Sequence, residues 1–232
     1  MSFFITIIEA FQNGGFWMWV ILALQLVSIA IIAERVFTLY FKEKMQAMIT
    51  AYGFEKAIKK GELSTLIKDI DEVQTPSVIG HLTKEAAITA LDLGGKEEIQ
   101  SKMDETLLQE NNLLERRIGF LPMLANVGTL TGLLGTIVGM IKSFTAVSQA
   151  NPAEKAALLS SGISEAMNTT AYGLIMAIPA LIAFAILNNR SSHLIEDLNQ
   201  AALKVFNWFS YSYEVLPEKV ALESSKTEVK RV

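Results

Sequence analysis

Two long apolar runs, IGFLPMLANVGTLTGLLGTIVGMI starting at Ile118 and GISEAMNTTAYGLIMAIPALIAFAIL starting at Gly162, are separated by a short polar turn. A third, FWMWVILALQLVSIAIIAERVFTLYF, starts at Phe16. Each is long enough to cross a bilayer as a helix, because about 20 residues at about 1.5 Å rise cover the hydrocarbon core. Apolar residues make up 51% of the 232-residue chain and are gathered in these blocks, so the fold class is an all-α integral membrane protein with three transmembrane helices.

The expected organisation follows from these blocks. Residues 1–15 form a short interfacial helix, since Phe3, Phe4, Ile7, Ile8 and Phe11 share one face and no basic start marks a signal peptide. Spans one to three cover 16–41, 118–147 and 158–188, with a turn at 148–157. Residues 42–117 form a helical domain, 189–216 a helical tail, and 217–232 a disordered end. Lys42, Lys44, Lys56, Lys59, Lys60, Arg116, Arg117 and Arg190 put 42–117 and the C-terminus in the cytoplasm and the N-terminus outside. Gly61 ends one cytoplasmic helix, Pro76 opens another, and Gly94-Gly95 closes it. No breaker precedes span two, so one continuous helix is expected from about Lys96 to about Val147, with Pro122 as a possible kink. Asn151-Pro152-Ala153-Glu154 is a helix-start pattern. At the inner end of span one, Arg35 is expected to snorkel to the interface and Glu34 to face other helices or to sit in the headgroup layer; being adjacent, the two are not expected to face each other.

Several functions are excluded by composition. There are no cysteines, and the two histidines lie outside the apolar runs as surface residues, so no metal site is expected. A formal charge of −4 gives no reason for a nucleic-acid partner. No nucleophile–base pair or phosphate loop is present, so the chain is read as having no catalytic residues and no enzymatic activity.

What remains is the polarity inside spans two and three. Gly128, Gly132, Gly135 and Gly139 are spaced for close helix contact, and Pro179 interrupts span three. Glu165, Asn168, Thr169 and Tyr172 share a face by helical spacing, with Thr170 beside them; Thr129, Thr136 and Ser143 recur every seven residues. Counting about 1.5 Å per residue from Arg117 and Arg190 puts Thr136 level with Thr170, and Lys142 level with Glu165. A lone threonine in a membrane helix satisfies itself on the carbonyl one turn back. A cluster of Glu165, Asn168, Thr169 and Thr170, alongside the face of the preceding helix that carries Thr136, can line a hydrated ion path, and Lys142 and Glu165 can form an ion pair.

These segments resemble the MotA/TolQ/ExbB proton-channel family, and its three-span TolQ/ExbB branch more than four-span MotA. The resemblance rests on Gly-x-x-Gly-Thr in span two, Gly-Ile-x-Glu-Ala at the start of span three, the threonine five residues after that glutamate, and Ala-Ile-Pro-Ala. It implies a bacterial inner-membrane homopentamer around two copies of an ExbD/TolR-like single-span partner. The partner's membrane aspartate would carry protons past Thr136, Thr170 and Glu165, and the flow would drive work on the cell envelope with no cofactor. Asn168 and Thr169 make span three more polar than that branch's pattern, which leaves sodium open as the ion, and Lys142 departs from the pattern too. The other readings are a structural scaffold, in which glycines and threonines only pack helices, and a substrate transporter, against which the absence of inverted repeats speaks.

Overall fold

The computed structural model describes residues 15–42, 47–72, 77–92 and 95–213. The interfacial helix expected before residue 15 and the tail expected at 217–232 lie outside the described residues. The described chain is helical without strands: α1 Gly15–Val36, continued by a π-helical segment Phe37–Lys42, then α2 Ala47–Lys60, α3 Leu63–Glu72, α4 Val78–Asp92, α5 Lys96–Glu115, α6 Phe120–Gln149 and α7 Lys155–Tyr213. Three helical stretches, Gly15–Tyr40, Lys96–Gln149 and Lys155–Tyr211, contain a segment long and apolar enough to cross a membrane. Two compact units divide the chain, one of residues 1–43 and 115–190, the other of 44–114 and 191–232.

The second unit packs as a water-soluble helical domain does. Leu63, Leu66 and Ile70 on α3, Leu82, Ala86 and Ala90 on α4, and Ile99 and Met103 on α5 recur at three- and four-residue steps and are buried in one core. Leu198, Ala201, Val205 and Phe209 bring the end of α7 into it. Each buried leucine, isoleucine or phenylalanine contributes about 1.5–3 kcal/mol relative to exposure. Helix ends here follow local chemistry. Ser77 caps α4 by accepting the Gly80 N–H at 3.2 Å. Gly61 ends α2 at φ +75, with its own N–H on the Ile58 carbonyl and the Glu62 N–H on the Ala57 carbonyl, both at 3.1 Å.

The first unit has the reverse distribution. Leu130, Leu133, Ile137 and Ile141 on α6, and Ile175, Ile178, Ile182 and Ile186 on α7, are exposed. Inside are small residues: Gly128, Gly132, Gly135 and Gly139 of α6 and Ala166, Ala177 and Ala180 of α7. An apolar exterior over a small-residue interior suits lipid as solvent.

Three expectations are corrected. The single helix expected from about Lys96 to about Val147 is broken, because Arg116–Gly119 form a turn with Arg117 at φ 64. Pro122 explains the break: it has no N–H to give the Ile118 carbonyl, and its ring would clash with that carbonyl in a continuous helix. The chain instead tightens, with N–H groups of Ile118, Phe120 and Leu121 donating to carbonyls three residues back. Second, regular α7 begins at Lys155 rather than at Pro152, after a turn in which the Glu154 N–H reaches the Asn151 carbonyl at 3.0 Å. Third, Arg35 is buried, 3% exposed, rather than reaching the interface, while Glu34 is partly exposed and meets Arg117 ahead of α6 as expected. The long guanidinium side chain folds back so that Nη2 lies 3.6 Å from the neighbouring Glu34 carboxylate, which adjacency on the helix had been taken to forbid.

The left-handed Gly61 yields a test. Gly61→Ala should destabilise the α2 end by about 1 kcal/mol, since a Cβ disfavours that backbone region. Hydrogen exchange of the Gly61 and Glu62 amides should quicken roughly fivefold while α5 amides are unchanged.

Candidate functional site

The antiparallel seam of α6 and α7 is where backbones come closest. A methyl group placed on Gly132 would lie 3.2 Å from the Thr169 carbonyl oxygen, 3.3 Å from the Thr170 Cα and 3.4 Å from the Gly173 Cα. On Gly173 it would meet the Gly128 carbonyl oxygen at 2.9 Å, and on Gly139 the Ala166 Cβ at 3.1 Å. Further along, Gly135 meets Thr169, Gly128 meets Met176, and Gly162 meets Ser143. All four glycines singled out from sequence sit in this seam, and Gly162 and Gly173 on α7 answer them. Those two were missed, although their eleven-residue spacing, three helical turns, was the signal available. Pro179 is exposed and lies outside the seam.

Most hydroxyls in these helices turn back on their own backbone. Thr129 donates to Ala125, Thr131 to Val127, Thr136 to Leu133, Ser143 to Gly139 and Thr169 to Glu165, at 2.5–2.9 Å. Thr170 differs, because its hydroxyl donates across the seam to the Gly132 carbonyl at 3.0 Å. Gly132 lies one turn before Thr136, so both threonines fall within one turn of the same depth in the seam. Thr136 and Thr170 are half-buried and Thr169 is fully buried.

Glu165 and Asn168, also half-buried, continue the polar strip along α7. The Glu165 carboxylate lies against Gly15, the first residue of α1, whose φ of +66 favours glycine. Farther along the same face, the Tyr172 hydroxyl bonds the Gln25 side-chain oxygen on α1. Gly15 and Gln25 therefore run parallel to Glu165 and Tyr172, and α1 covers part of the strip. Gln25 was not identified from sequence, although an amide in the middle of an apolar span signals a buried partner.

The proposed Lys142–Glu165 ion pair is not formed. Among the described residues the two make no salt bridge, and Lys142 is exposed. Gly139 and Ser143 face α7, and Lys142 is rotated about 100° from Ser143, away from the seam. At the other end of this unit, Arg117 Nη1 bonds the Glu34 carboxylate at 2.5 Å, and the Arg190 guanidinium lies 5.2 Å from the Tyr40 ring centre. The described residues contain no group of three or more His, Asp or Glu side chains placed to hold a metal ion. The arrangement offers hydroxyls, an amide and one carboxylate along a seam between two apolar helices.

Residues 63–200 match the MotA/TolQ/ExbB proton channel family. The chain is 24% identical over 232 residues to a biopolymer transport protein ExbB homolog of Methanothermobacter thermautotrophicus, across 99% of this chain and 77% of that protein. It is 37% identical over 95 residues to the Tol-Pal system protein TolQ of Haemophilus influenzae, 41% of each chain. It is 28% identical over 112 residues to the biopolymer transport protein ExbB of Salmonella typhimurium, 48% of this chain and 46% of that one. The match thus spans less than half the length of the last two relatives. A solved structure of C. jejuni MotAB aligns with a TM-score of 0.47 and 13% identity, covering 89% of this chain and 87% of that one.

Two substitutions separate seam from surface. Thr170→Val should cost about 0.6 kcal/mol, the average for an interhelical side-chain bond in a membrane, and Thr131→Val close to nothing. Gly132→Leu should abolish the folded state, because the side chain meets α7 backbone atoms that have no rotamer to retreat to. Unfolding of the purified protein in mixed micelles measures all three.

Proposed function

Because this chain belongs to the MotA/TolQ/ExbB proton channel family, we propose that it is the channel subunit of an inner-membrane complex that couples the proton motive force to work on the cell envelope. In this reading five copies surround two copies of an ExbD/TolR-like single-span protein. The partner's membrane aspartate carries the proton, and Thr136, Thr170, Glu165, Thr169 and Asn168 provide the polar path beside it. The N-terminus is periplasmic, and residues 42–117 and the C-terminal part of α7 are cytoplasmic, as the basic residues favour. No cofactor takes part. One charge crossing 100 mV releases about 2.3 kcal/mol, enough per proton to repack a small helix interface.

The observation that carries this reading is the polar strip at the α6–α7 seam, where the Thr170 hydroxyl bridges to Gly132 with Thr136, Glu165 and Asn168 close by. Packing alone would be served by alanine at these positions. The scaffold reading has its own support in the hydroxyls of Thr129, Thr131, Thr136, Ser143 and Thr169, each satisfied within its own helix.

Native mass spectrometry of the gently extracted complex, combined with Thr136→Val and Thr170→Val, distinguishes the two. The channel reading expects five copies with two of a small single-span protein, and variants that assemble normally while losing most ion-driven work. Normal work by both variants, or a stable assembly with no such partner from cells that express one, favours the scaffold. Dependence of the work on sodium at constant proton gradient would identify a sodium-driven member.

A further inference from the structure

One end of the first unit gathers several arginines. Arg35, Arg116, Arg117 and Arg190 gather there against Glu34 and Glu115 among the described residues. Glu34 is engaged twice, by Arg117 at 2.5 Å and by Arg35 at 3.6 Å. Arg116 is exposed and makes no hydrogen bond or salt bridge among the described residues, and Arg35, Arg116 and Arg117 repel one another. Large apolar side chains stand exposed a turn or less from these arginines: Phe37 at 65% and Phe120 at 54%. The patch therefore pairs an anion-seeking group with an apolar wall, and a phosphodiester head joined to acyl chains matches both.

We propose that the turn Arg116–Arg117, with the exposed Phe120 just beyond it in the chain, binds the headgroup of an acidic phospholipid. Guanidinium groups hold phosphate oxygens through paired N–H donors, and the bond strengthens where water is scarce. A soluble anion would match the arginines but gain nothing from the rings; an acidic phospholipid gains from both, through its phosphate and its acyl chains. Binding would also relieve the repulsion of Arg116 and Arg117 on Arg35. The inference does not depend on ion conduction.

The test reconstitutes the full chain in nanodiscs of equal parts phosphatidylglycerol and phosphatidylcholine, then counts retained lipids by native mass spectrometry. The expected result is retention of phosphatidylglycerol over phosphatidylcholine, reduced about fivefold by Arg116→Gln, the effect of one arginine at an anionic surface. Arg117→Gly is the second variant; glycine keeps the left-handed backbone, so folding survives while the guanidinium is lost. Equal retention of the two lipids by the parent chain, or an undiminished preference in both variants, overturns the proposal. Displacement of the acidic lipid by millimolar inorganic phosphate would assign the patch to a soluble anion and overturn it as well.

Discussion

The close approach of α6 and α7 governs the membrane-spanning unit. Between helices in lipid there is no hydrophobic drive to associate, since lipid tails are as apolar as leucine. Attraction has to come from dispersion at short range and from hydrogen bonds, and both need the backbones near each other. Gly132 and Gly173 permit this, because neither has a Cβ where the facing helix lies 3.2–3.4 Å and 2.9–3.3 Å from the position it would take. The Thr170 hydroxyl reaches the Gly132 carbonyl only because that approach is made. The polar strip inherits its placement from the seam: Thr169 and Thr170 are at its centre, and Glu165 is one turn away. The α1 helix then lies along the same face, tied by the Tyr172–Gln25 bond.

A second constraint acts at the arginine-rich end. Pro122 forbids the carbonyl bond that would carry α5 into α6, so the chain leaves the helical path at Arg116 and crosses a left-handed Arg117. That conformation is unfavourable by about 1–2 kcal/mol for a residue with a Cβ. The Arg117–Glu34 ion pair offsets part of it and fixes where α1 ends relative to α6. Burial of Arg35 next to the same carboxylate makes Glu34 the anion on which this end depends.

The three spans were readable because block length against bilayer thickness is a strong constraint. The second unit was readable as a helical domain, and its helices bury residues at helical spacing, Leu194, Leu198, Ala201, Val205 and Phe209 on α7 and Ile99, Met103 and Leu114 on α5. Rotation about the helix axes was harder to read. Apolar residues surround α6 and α7 on every side, so hydrophobicity carries no phase, and only the glycines supply one. They correctly oriented Gly128 through Gly139, while Lys142 was judged by depth alone and its azimuth, about 100° from Ser143, was lost. Arg35 was misplaced because a spacing rule for short side chains was applied to a guanidinium long enough to fold back, whereas Glu34 does meet another segment through Arg117. The turn at Arg117 was masked by the good helix formers before it, Leu113, Leu114, Glu115 and Arg116, and Pro122 was read as a kink at its own position although the backbone turns left-handed five residues upstream.

The central claim is that the seam between α6 and α7 serves ion passage in addition to packing. Proton uptake into liposomes holding the chain with its single-span partner, followed with an internal pH dye under a fixed membrane potential, tests it most directly. The account predicts uptake above that of protein-free liposomes, lost in Glu165→Ala complexes that still assemble. Uptake no faster than the lipid leak from a correctly assembled complex, or unchanged uptake in Glu165→Ala, would contradict it.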